Sequence, residues 1–316
     1  MSNTIKGIFL VSFGLLLFAI QDSVIKSFSD QYAVLQIVFI RSAAGVFVLL
    51  IGIAIFAGGA GLKSHNVIPQ IMKYGLSFGA YLCYYLALAD LPLAETATIT
   101  FLSPLIVTAL SAIIFKEHVG LHRWGAVVVG FFAIILVVGP QGHFGNPAVL
   151  FALTAAFAYA LSIIATRFLD ARDSAITSAF YGSWVHCILA IVCTMVITVF
   201  FKDNTSTSPS VQFLTRDWLW MDLNHFLLLA ALGVMISFGL YCLVKAYRII
   251  PFSLASPFEY TYILWSVILG YLMWGDVPQS NTLVGIVLLV ISNLYILQRE
   301  LKHNKKELTQ PNQGRI

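Results

Sequence analysis

Residues 91–117 read LPLAETATITFLSPLIVTALSAIIFKE and set the pattern that the rest of the chain follows. The part from residue 94 to 115 is apolar and about as long as a helix must be to cross a bilayer, roughly 20 residues. Thr96, Thr100 and Ser103 place their hydroxyls on one helical face, just before Pro104. The stretch therefore predicts a transmembrane helix that is polar on one side and interrupted by proline.

Apolar runs of this kind recur along the chain, in which 59% of the 316 residues are hydrophobic and 10% are charged. Because a soluble domain carries about 25% charged residues, the composition predicts an all-α integral membrane protein. Gly75 and Gly79 have the G-x-x-x-G spacing that predicts close helix packing. The ten predicted spans are residues 5–27, 33–56, 71–89, 94–115, 124–139, 147–168, 174–200, 224–247, 253–273 and 282–298.

Lysine and arginine are distributed unevenly over the predicted connections. With both termini in the cytoplasm, 14 of the 18 cationic residues fall on the cytoplasmic side, and the positive-inside rule then fixes the orientation. The loop Phe201–Leu223, which contains Trp218 and Trp220, is expected to face outward. The net charge of +4 requires no nucleic acid, because a basic C-terminal tail suits contact with anionic lipid.

The second half of the chain repeats the order of features in the first half. Ala87-x4-Pro92-Leu93-Ala94 matches Ala246-x4-Pro251-Phe252-Ser253 at an offset of 159 residues. The same offset carries Glu117 onto Asp276, each at the end of an apolar span. Matching order, spacing and position within ten spans indicate an internal duplication.

This duplication predicts two five-helix repeats, residues 5–139 and 146–298, followed by a basic cytoplasmic tail, residues 299–316. Since five is odd, the two copies would cross the membrane in opposite senses. Ten transmembrane helices arranged as two inverted repeats are typical of secondary transporters.

Sequence motifs of catalysis and of cofactor binding do not occur in the chain. It contains no G-x-S-x-G, no H-E-x-x-H and no Walker glycine loop. Its four cysteines lie in apolar spans without the close pairing of a zinc site. We therefore expect no enzymatic activity, no cofactor and no metal, and transport driven by a gradient or by exchange. An integral membrane enzyme and a non-transporting scaffold are the alternative functions.

Polar groups at membrane depth are costly and are therefore candidates for function. Glu259 is the clearest, because Ser256, Glu259 and Tyr260 share one face of the predicted ninth helix beside Pro257. Its repeat mate is Thr100, so that two interrupted helices occupy matching places, which points to a transporter binding site. A structural hydrogen bond between packed helices is the alternative role of Glu259.

Arg41 lies too deep in the second span for its charge to reach water comfortably, and Asp22 or Glu259 is expected to balance it. A structural ion pair and the binding of an anionic substrate both fit this position. Glu259, which can bind and release a proton, is also the candidate for proton coupling. The predicted substrate-binding residues are Gln21, Arg41, Tyr84, Thr100, Ser103, Tyr241, Ser256, Glu259 and Tyr260.

The sequence resembles the drug/metabolite transporter superfamily, in particular its ten-helix EamA-type branch. The resemblance covers about residues 5–298, and members of the family usually have Glu where Asp276 stands. The stretches that carry it are Leu93-Ala94-Glu95-Thr96-Ala97-Thr98 through Phe101-Leu102-Ser103-Pro104, Lys116-Glu117, Ser256-Pro257-Phe258-Glu259-Tyr260-Thr261, Gly270-Tyr271-Leu272 and Gly275-Asp276.

The resemblance implies alternating access in a bacterial cytoplasmic (inner) membrane, with a central cavity lined by helices one, three, four, six, eight and nine. Family members move amino acids, nucleotide-linked metabolites, S-adenosylmethionine, riboflavin, nucleosides and drugs, in either direction. The tyrosine-rich spans favour a riboflavin-like vitamin, followed by an amino-acid-type metabolite. The expected partners are this small-molecule substrate and the lipid bilayer, and a homodimer is an arrangement that the sequence leaves open.

Overall fold

The computed structural model describes residues 3–56, 62, 64–65, 67–116, 121–138, 146–166, 175–201, 207–250 and 256–309. Helices are the only regular secondary structure in these ranges. They are α1 (Asn3–Ser27), α2 (Val34–Phe56), α3 (Val67–Leu88), α4 (Leu93–Thr100), α5 (Ser103–Ile114), α6 (Leu121–Val138), α7 (Pro147–Ala165), α8 (Ala175–Phe200), α9 (Pro209–Thr215), α10 (Leu223–Ile249), a 3-10 helix (Ser256–Tyr260), α11 (Thr261–Trp274) and α12 (Ser280–Thr309).

Six helical segments of the described residues are long and apolar enough to cross a membrane, and one of them is α4 together with α5. Shorter apolar stretches lie in α6 and α12. The all-α membrane architecture is thereby confirmed. Helix α12 runs on to Thr309, past the predicted end at residue 298, because the glutamates and lysines of the tail have good helix propensity.

The predicted interruption of the fourth span is confirmed at the junction of α4 and α5. Helix α4 ends at Thr100 and α5 begins at Ser103. Pro104 has no backbone N–H to donate to the carbonyl of Thr100, so the hydrogen-bond ladder is lost there. The hydroxyls of Thr96 and Thr98 donate to carbonyls four residues earlier, at 3.1 and 2.6 Å, a pattern that bends helices.

The ninth span differs from its prediction, because it opens with a 3-10 helix rather than an α-helix. In a 3-10 helix, positions three residues apart eclipse each other, whereas the fourth position is rotated away. Ser256 and Glu259 therefore remain on one face, and the prediction that Tyr260 shares that face is wrong. The α-helical ladder begins only at Thr261, after Pro257.

The loop Phe201–Leu223 contains the short helix α9, which the sequence did not predict. Pro209 starts this helix, as proline suits a first turn. Ser210 donates to the carbonyl of Leu86 at 2.7 Å, and Phe213 is fully buried. The loop is therefore docked on the ends of neighbouring helices rather than being a free polar connection.

Helix packing joins the two halves of the chain. Helix α3 packs along α7, α1 along α10, α2 along α8 and α6 along α12. Further contacts join α2 to α10 and α3 to α8, and α11 packs against α1 and α4. The ends of α1, α2, α3 and α11 thus meet in the interior of the bundle.

Glycine packing corrects one prediction about α3. A Cβ atom at Gly75 or Gly79 would meet nothing within 4 Å, so their G-x-x-x-G spacing does not mark a close helix contact. The close approach occurs at Gly233 of α10 instead, where a Cβ atom would lie 2.4 Å from the carbonyl oxygen of Arg41. Spacing alone cannot tell which face of a helix meets a neighbour.

Two described residues have positive φ, and each lies within two residues of a helix end. Lys116 after α5 has φ 52°, and Gly275 after α11 has φ 71°. Gly275 donates its N–H to the carbonyl of Tyr271 at 2.9 Å, which closes the last turn of α11.

Candidate functional site

Asp22 of α1 is buried between three helices and is fully hydrogen-bonded. Its carboxylate accepts hydrogen bonds from the amide of Gln21, at 3.2 Å, and from the hydroxyl of Tyr262 on α11. The Tyr262 hydroxyl also lies 2.6 Å from the hydroxyl of Tyr84 on α3. Because a buried carboxylate without such partners would be costly, these bonds hold α1, α3 and α11 together at one point.

Arg41 of α2 lies beside this carboxylate and is 5% exposed. Its guanidinium donates to the hydroxyl of Tyr85 at 2.5 Å, and the amide of Gln21 donates to the same hydroxyl at 3.1 Å. The opposite charges of Arg41 and Asp22 attract each other across these neutral groups. We call Gln21, Asp22, Arg41, Tyr84, Tyr85 and Tyr262 the central polar network.

Tyrosine rings surround the guanidinium of Arg41. Its central carbon is 5.5 Å from the ring centre of Tyr85 and 5.7 Å from that of Tyr81. The two rings stack on each other with centroids 6.3 Å apart. Such cation–π contacts stabilise a cation that has left water, so the tyrosine rings help to hold Arg41 in the interior.

Tyr81 continues from the network toward Glu259. Its ring is 38% exposed although its neighbours Arg41 and Tyr85 are buried. Tyr159 of α7 is similarly accessible and lies in the neighbourhood of both Tyr81 and Glu259. These accessible aromatic groups connect the buried charges to the carboxylate of the 3-10 helix.

The two interrupted segments meet through Phe101, at the break between α4 and α5. Its ring centre lies 5.4 Å from that of Tyr260 and 5.9 Å from that of Tyr262. Glu259, half-buried, is close enough for its charge to act on the Tyr260 hydroxyl. The helix breaks of the two halves are therefore in direct contact beside the central polar network.

The structure brings some predicted site residues together and leaves others apart. Gln21, Arg41 and Tyr84 belong to the central polar network, whereas Ser103 is buried at the start of α5. The hydroxyl of Thr100 donates to the carbonyl of Thr96 within its own helix, at 2.8 Å.

Tyr241 lies outside the network. It is 55% exposed and stacks on the exposed ring of Phe238. The ammonium group of Lys245 lies 5.5 Å from the centre of the Tyr241 ring. The backbone of Ser256 is described, but its side chain lies outside the described part of the structure.

Several residues of this region were absent from the predicted set. Asp22 was predicted only as a partner of Arg41, and Tyr85 was not among the predicted substrate-binding residues. Tyr262 was missed, since the α-helical pattern assigned the polar face of the ninth span to other positions. His186 of α8 was missed as well, because a single histidine in an apolar run gives no signal; its ring lies 5.8 Å from that of Tyr81.

A second group of charges lies at the far ends of α1, α3 and α11. Lys26 donates to the carbonyls of Leu88 and Leu91, at 3.0 and 2.5 Å. Its charge interacts with Glu95 and Asp276, which line a small pocket of about 100 Å³. Lysine so placed closes the last turn of α3 and links the helix ends on this side.

Comparisons by sequence find transporters. The sequence profile of the EamA-like transporter family matches residues 5–139 and 146–298. The chain is 25% identical to the S-adenosylmethionine uptake transporter of Rickettsia prowazekii, with 90% of each protein covered. It is 27% identical to the pseudopaline exporter CntI of Pseudomonas aeruginosa, covering 91% of this chain and 94% of the relative.

The chain is also 25% identical to the riboflavin transporter of Vibrio cholerae, covering 92% of this chain and 93% of the relative. A protein of known crystal structure superposes on 91% of this chain and 96% of its own length, with a TM-score of 0.60 at 18% identity. That superposition shows a shared fold.

Proposed function

Because the chain belongs to the EamA-like transporter family, we propose that it moves a small organic metabolite across a membrane by alternating access, without ATP. The central polar network carries this proposal. Asp22 and Arg41 are buried in a bundle of apolar helices, where ionisable groups are costly and mark the paths of substrates or ions.

Helix packing supports two inverted five-helix repeats, residues 5–139 and 146–298, within ten membrane-crossing helices. In this arrangement α1 corresponds to α7, α2 to α8, α3 to α10 and α6 to α12. Replacing each helix by its counterpart then turns the α3–α7 contact into the α10–α1 contact. The same exchange turns α2–α10 into α8–α3 and returns α2–α8 and α6–α12 to themselves. All these contacts are present, as a twofold relation between the halves requires.

Local backbone geometry supports the same correspondence. The offset of 159 residues carries Lys116 onto Gly275, and these are the residues with positive φ in the described chain. The same offset matches Thr100, the last residue of α4, with Glu259. Glu259 lies one residue before the end of the 3-10 helix, where α11 begins. Equivalent helix ends and equivalent interruptions in the two halves favour a duplicated origin of the fold.

The location that suits this architecture is a bacterial inner membrane, with both termini and the tail, residues 299–316, in the cytoplasm. The relatives described above are bacterial proteins, and the cation distribution favours this orientation. In that orientation the segment with α9 and the cluster around Lys26 lie on the outer side.

The substrate class that suits both the site and the relatives is a riboflavin-like vitamin or an amino-acid-type metabolite. The relatives are named for riboflavin, S-adenosylmethionine and pseudopaline. Tyr81 and Tyr159 offer accessible rings for a flat solute, and Arg41 suits a carboxylate. Glu259, next to both the rings and the helix breaks, is placed to exchange a proton during the cycle.

Uptake into nucleotide-free proteoliposomes tests this function. Labelled riboflavin, S-adenosylmethionine and a set of amino acids are offered to vesicles with the wild-type protein and to empty vesicles. Protein-dependent entry of one of these solutes is the expected result. Equal entry into both kinds of vesicle for every solute would contradict the proposed substrate class.

A further inference from the structure

Two buried polar atoms near the central polar network lack a hydrogen-bond partner within the described protein. They are Oε1 of Gln21 and Nε2 of His186, in side chains that are 3% and 8% exposed. A buried polar atom left without a partner costs about 1–3 kcal/mol. These two atoms are therefore the candidates in this region for a hydrogen bond to water or to a solute.

The chemistry of the first atom is fixed by its neighbours. Nε2 of Gln21 donates to the carboxylate of Asp22 and to the hydroxyl of Tyr85, at 3.2 and 3.1 Å. Since a carboxylate only accepts, the amide nitrogen faces Asp22 and the amide oxygen is the atom that remains. An amide oxygen accepts only, so its partner must present an N–H or O–H group.

The second atom belongs to a ring that is held in place by aromatic neighbours. The ring centre of His186 lies 5.8 Å from that of Phe78 and 5.8 Å from that of Tyr81. The backbone of Tyr74 makes a hydrogen bond to the imidazole. With one side of the ring so held, Nε2 is the polar atom that a solute can meet.

Tyr81 lies between these two atoms in the chain of contacts. Its ring stacks on Tyr85, the partner of Gln21, and meets His186 edge-on, with 72° between the ring planes. Tyr81 is 38% exposed, a larger exposed fraction than that of any member of the central polar network. Tyr81, the accessible ring, is thus linked to both unpartnered side chains, to His186 directly and to Gln21 through Tyr85.

We propose that Gln21 and His186 bind the hydrogen-bonding edge of a planar heteroaromatic solute whose ring lies against Tyr81. A ring N–H or an exocyclic amine donates to Oε1 of Gln21, and a second polar atom of the solute meets Nε2 of His186. Stacking on an aromatic side chain contributes about 0.5–1.5 kcal/mol, which an aliphatic solute would forgo. This inference rests on the proposed function, since it names the solute class of the same site.

Binding to the purified full-length protein tests the inference with two matched pairs of probes. They are riboflavin with 3-methylriboflavin, and adenosine with N6,N6-dimethyladenosine, in which methyl groups replace the donor hydrogens. We expect the unmethylated probe of at least one pair to bind about 10-fold more tightly, the cost of one lost hydrogen bond to a buried acceptor. This preference should disappear in Gln21→Met, and His186→Phe should weaken the binding of both probes.

Tyr181→Phe on α8 is the matched control, because its hydroxyl donates to the carbonyl of Leu62, which is not one of these groups. It should bind like the wild type. His186→Phe keeps the aromatic contacts with Tyr74 and Phe78, so the test stands even where Gln21→Met fails to fold. Failure of all four probes to bind, an unchanged preference in Gln21→Met, or undiminished binding in His186→Phe would overturn the inference. Protein-dependent uptake of aliphatic solutes alone would also overturn the inference, but it would leave the proposed transport function intact.

Discussion

At the scale of single residues, the centre of the molecule depends on hydroxyl groups that hold two opposite charges apart. Tyr262 and Tyr85 each bond to one of these charges, Asp22 and Arg41. The sequence predicts that Arg41 needs a partner, but not that tyrosines far along the chain supply its contacts. Those contacts depend on how helices rotate against each other, which no local pattern encodes.

Tyr262→Phe removes the hydroxyl that joins Asp22 to Tyr84. We expect a loss of about 1–3 kcal/mol in the free energy of unfolding, because two buried polar groups lose a partner, together with slower solute uptake. Thermal unfolding in detergent and proteoliposome uptake measure the two effects. Tyr271→Phe, the same change at an exposed position of α11, is the control. Equal behaviour of the two variants would show that the hydroxyl of Tyr262 is dispensable.

Glu259→Gln keeps the size and the hydrogen-bonding capacity of the side chain but removes its proton exchange. We expect this variant to catalyse counterflow of substrate while losing accumulation driven by a pH gradient, since only the second process needs a titrating group. Both assays are run on the same reconstituted protein. Full gradient-driven accumulation would refute the coupling role, and lost counterflow would point to a structural role instead.

At the scale of helices, the sequence predicts spans and interruptions better than it predicts which faces meet. The break before Pro104 follows from a missing backbone donor and was predicted. The 3-10 helix at Glu259 and the docked helix α9 were not, because each depends on packing against distant helices. Gly75 and Gly79 illustrate the same limit, since their spacing suggests a contact that α3 does not make.

Gly233→Ala tests the close approach of α10 to α2. A Cβ atom there would lie 2.4 Å from the carbonyl oxygen of Arg41, so the helices must separate and shift the arginine. Overpacking of this kind costs about 1–3 kcal/mol. We expect a lower unfolding temperature and reduced uptake, whereas Gly79→Ala, with open space around it, should match the wild type. Similar losses in both variants would contradict the packing described for α10.

At the scale of the whole molecule, composition and repeat structure predict a membrane transporter, and the resemblance of short motif stretches predicts the EamA family. The apolar runs fix an all-α architecture because every backbone group in lipid must be satisfied within its own helix. The repeat offset, read from a few prolines and acids, also relates the residues with positive φ, Lys116 and Gly275. Side-chain contacts across the bundle, by contrast, required the structure.

The orientation of the whole molecule is tested by labelling single cysteines. Asn204→Cys and Lys305→Cys are made separately in a background without the four native cysteines. An impermeant thiol reagent added to intact cells should label the first variant and spare the second, because the cation distribution favours cytoplasmic termini. Labelling of both variants to the same extent would exclude this topology.

The proposed role of the central polar network is tested most directly by measuring which solutes the protein carries across the membrane. Nucleotide-free proteoliposomes with wild-type protein, with Asp22→Asn or with no protein are incubated in a bacterial metabolite extract, and their contents are analysed by mass spectrometry. We expect at least one small organic solute to enter vesicles with the wild-type protein but not vesicles without protein. Its entry should fall about 10-fold or more with Asp22→Asn, which leaves the charge of Arg41 unbalanced. Vesicle contents that are identical with and without the protein, or entry that Asp22→Asn leaves unchanged, would contradict the proposed role.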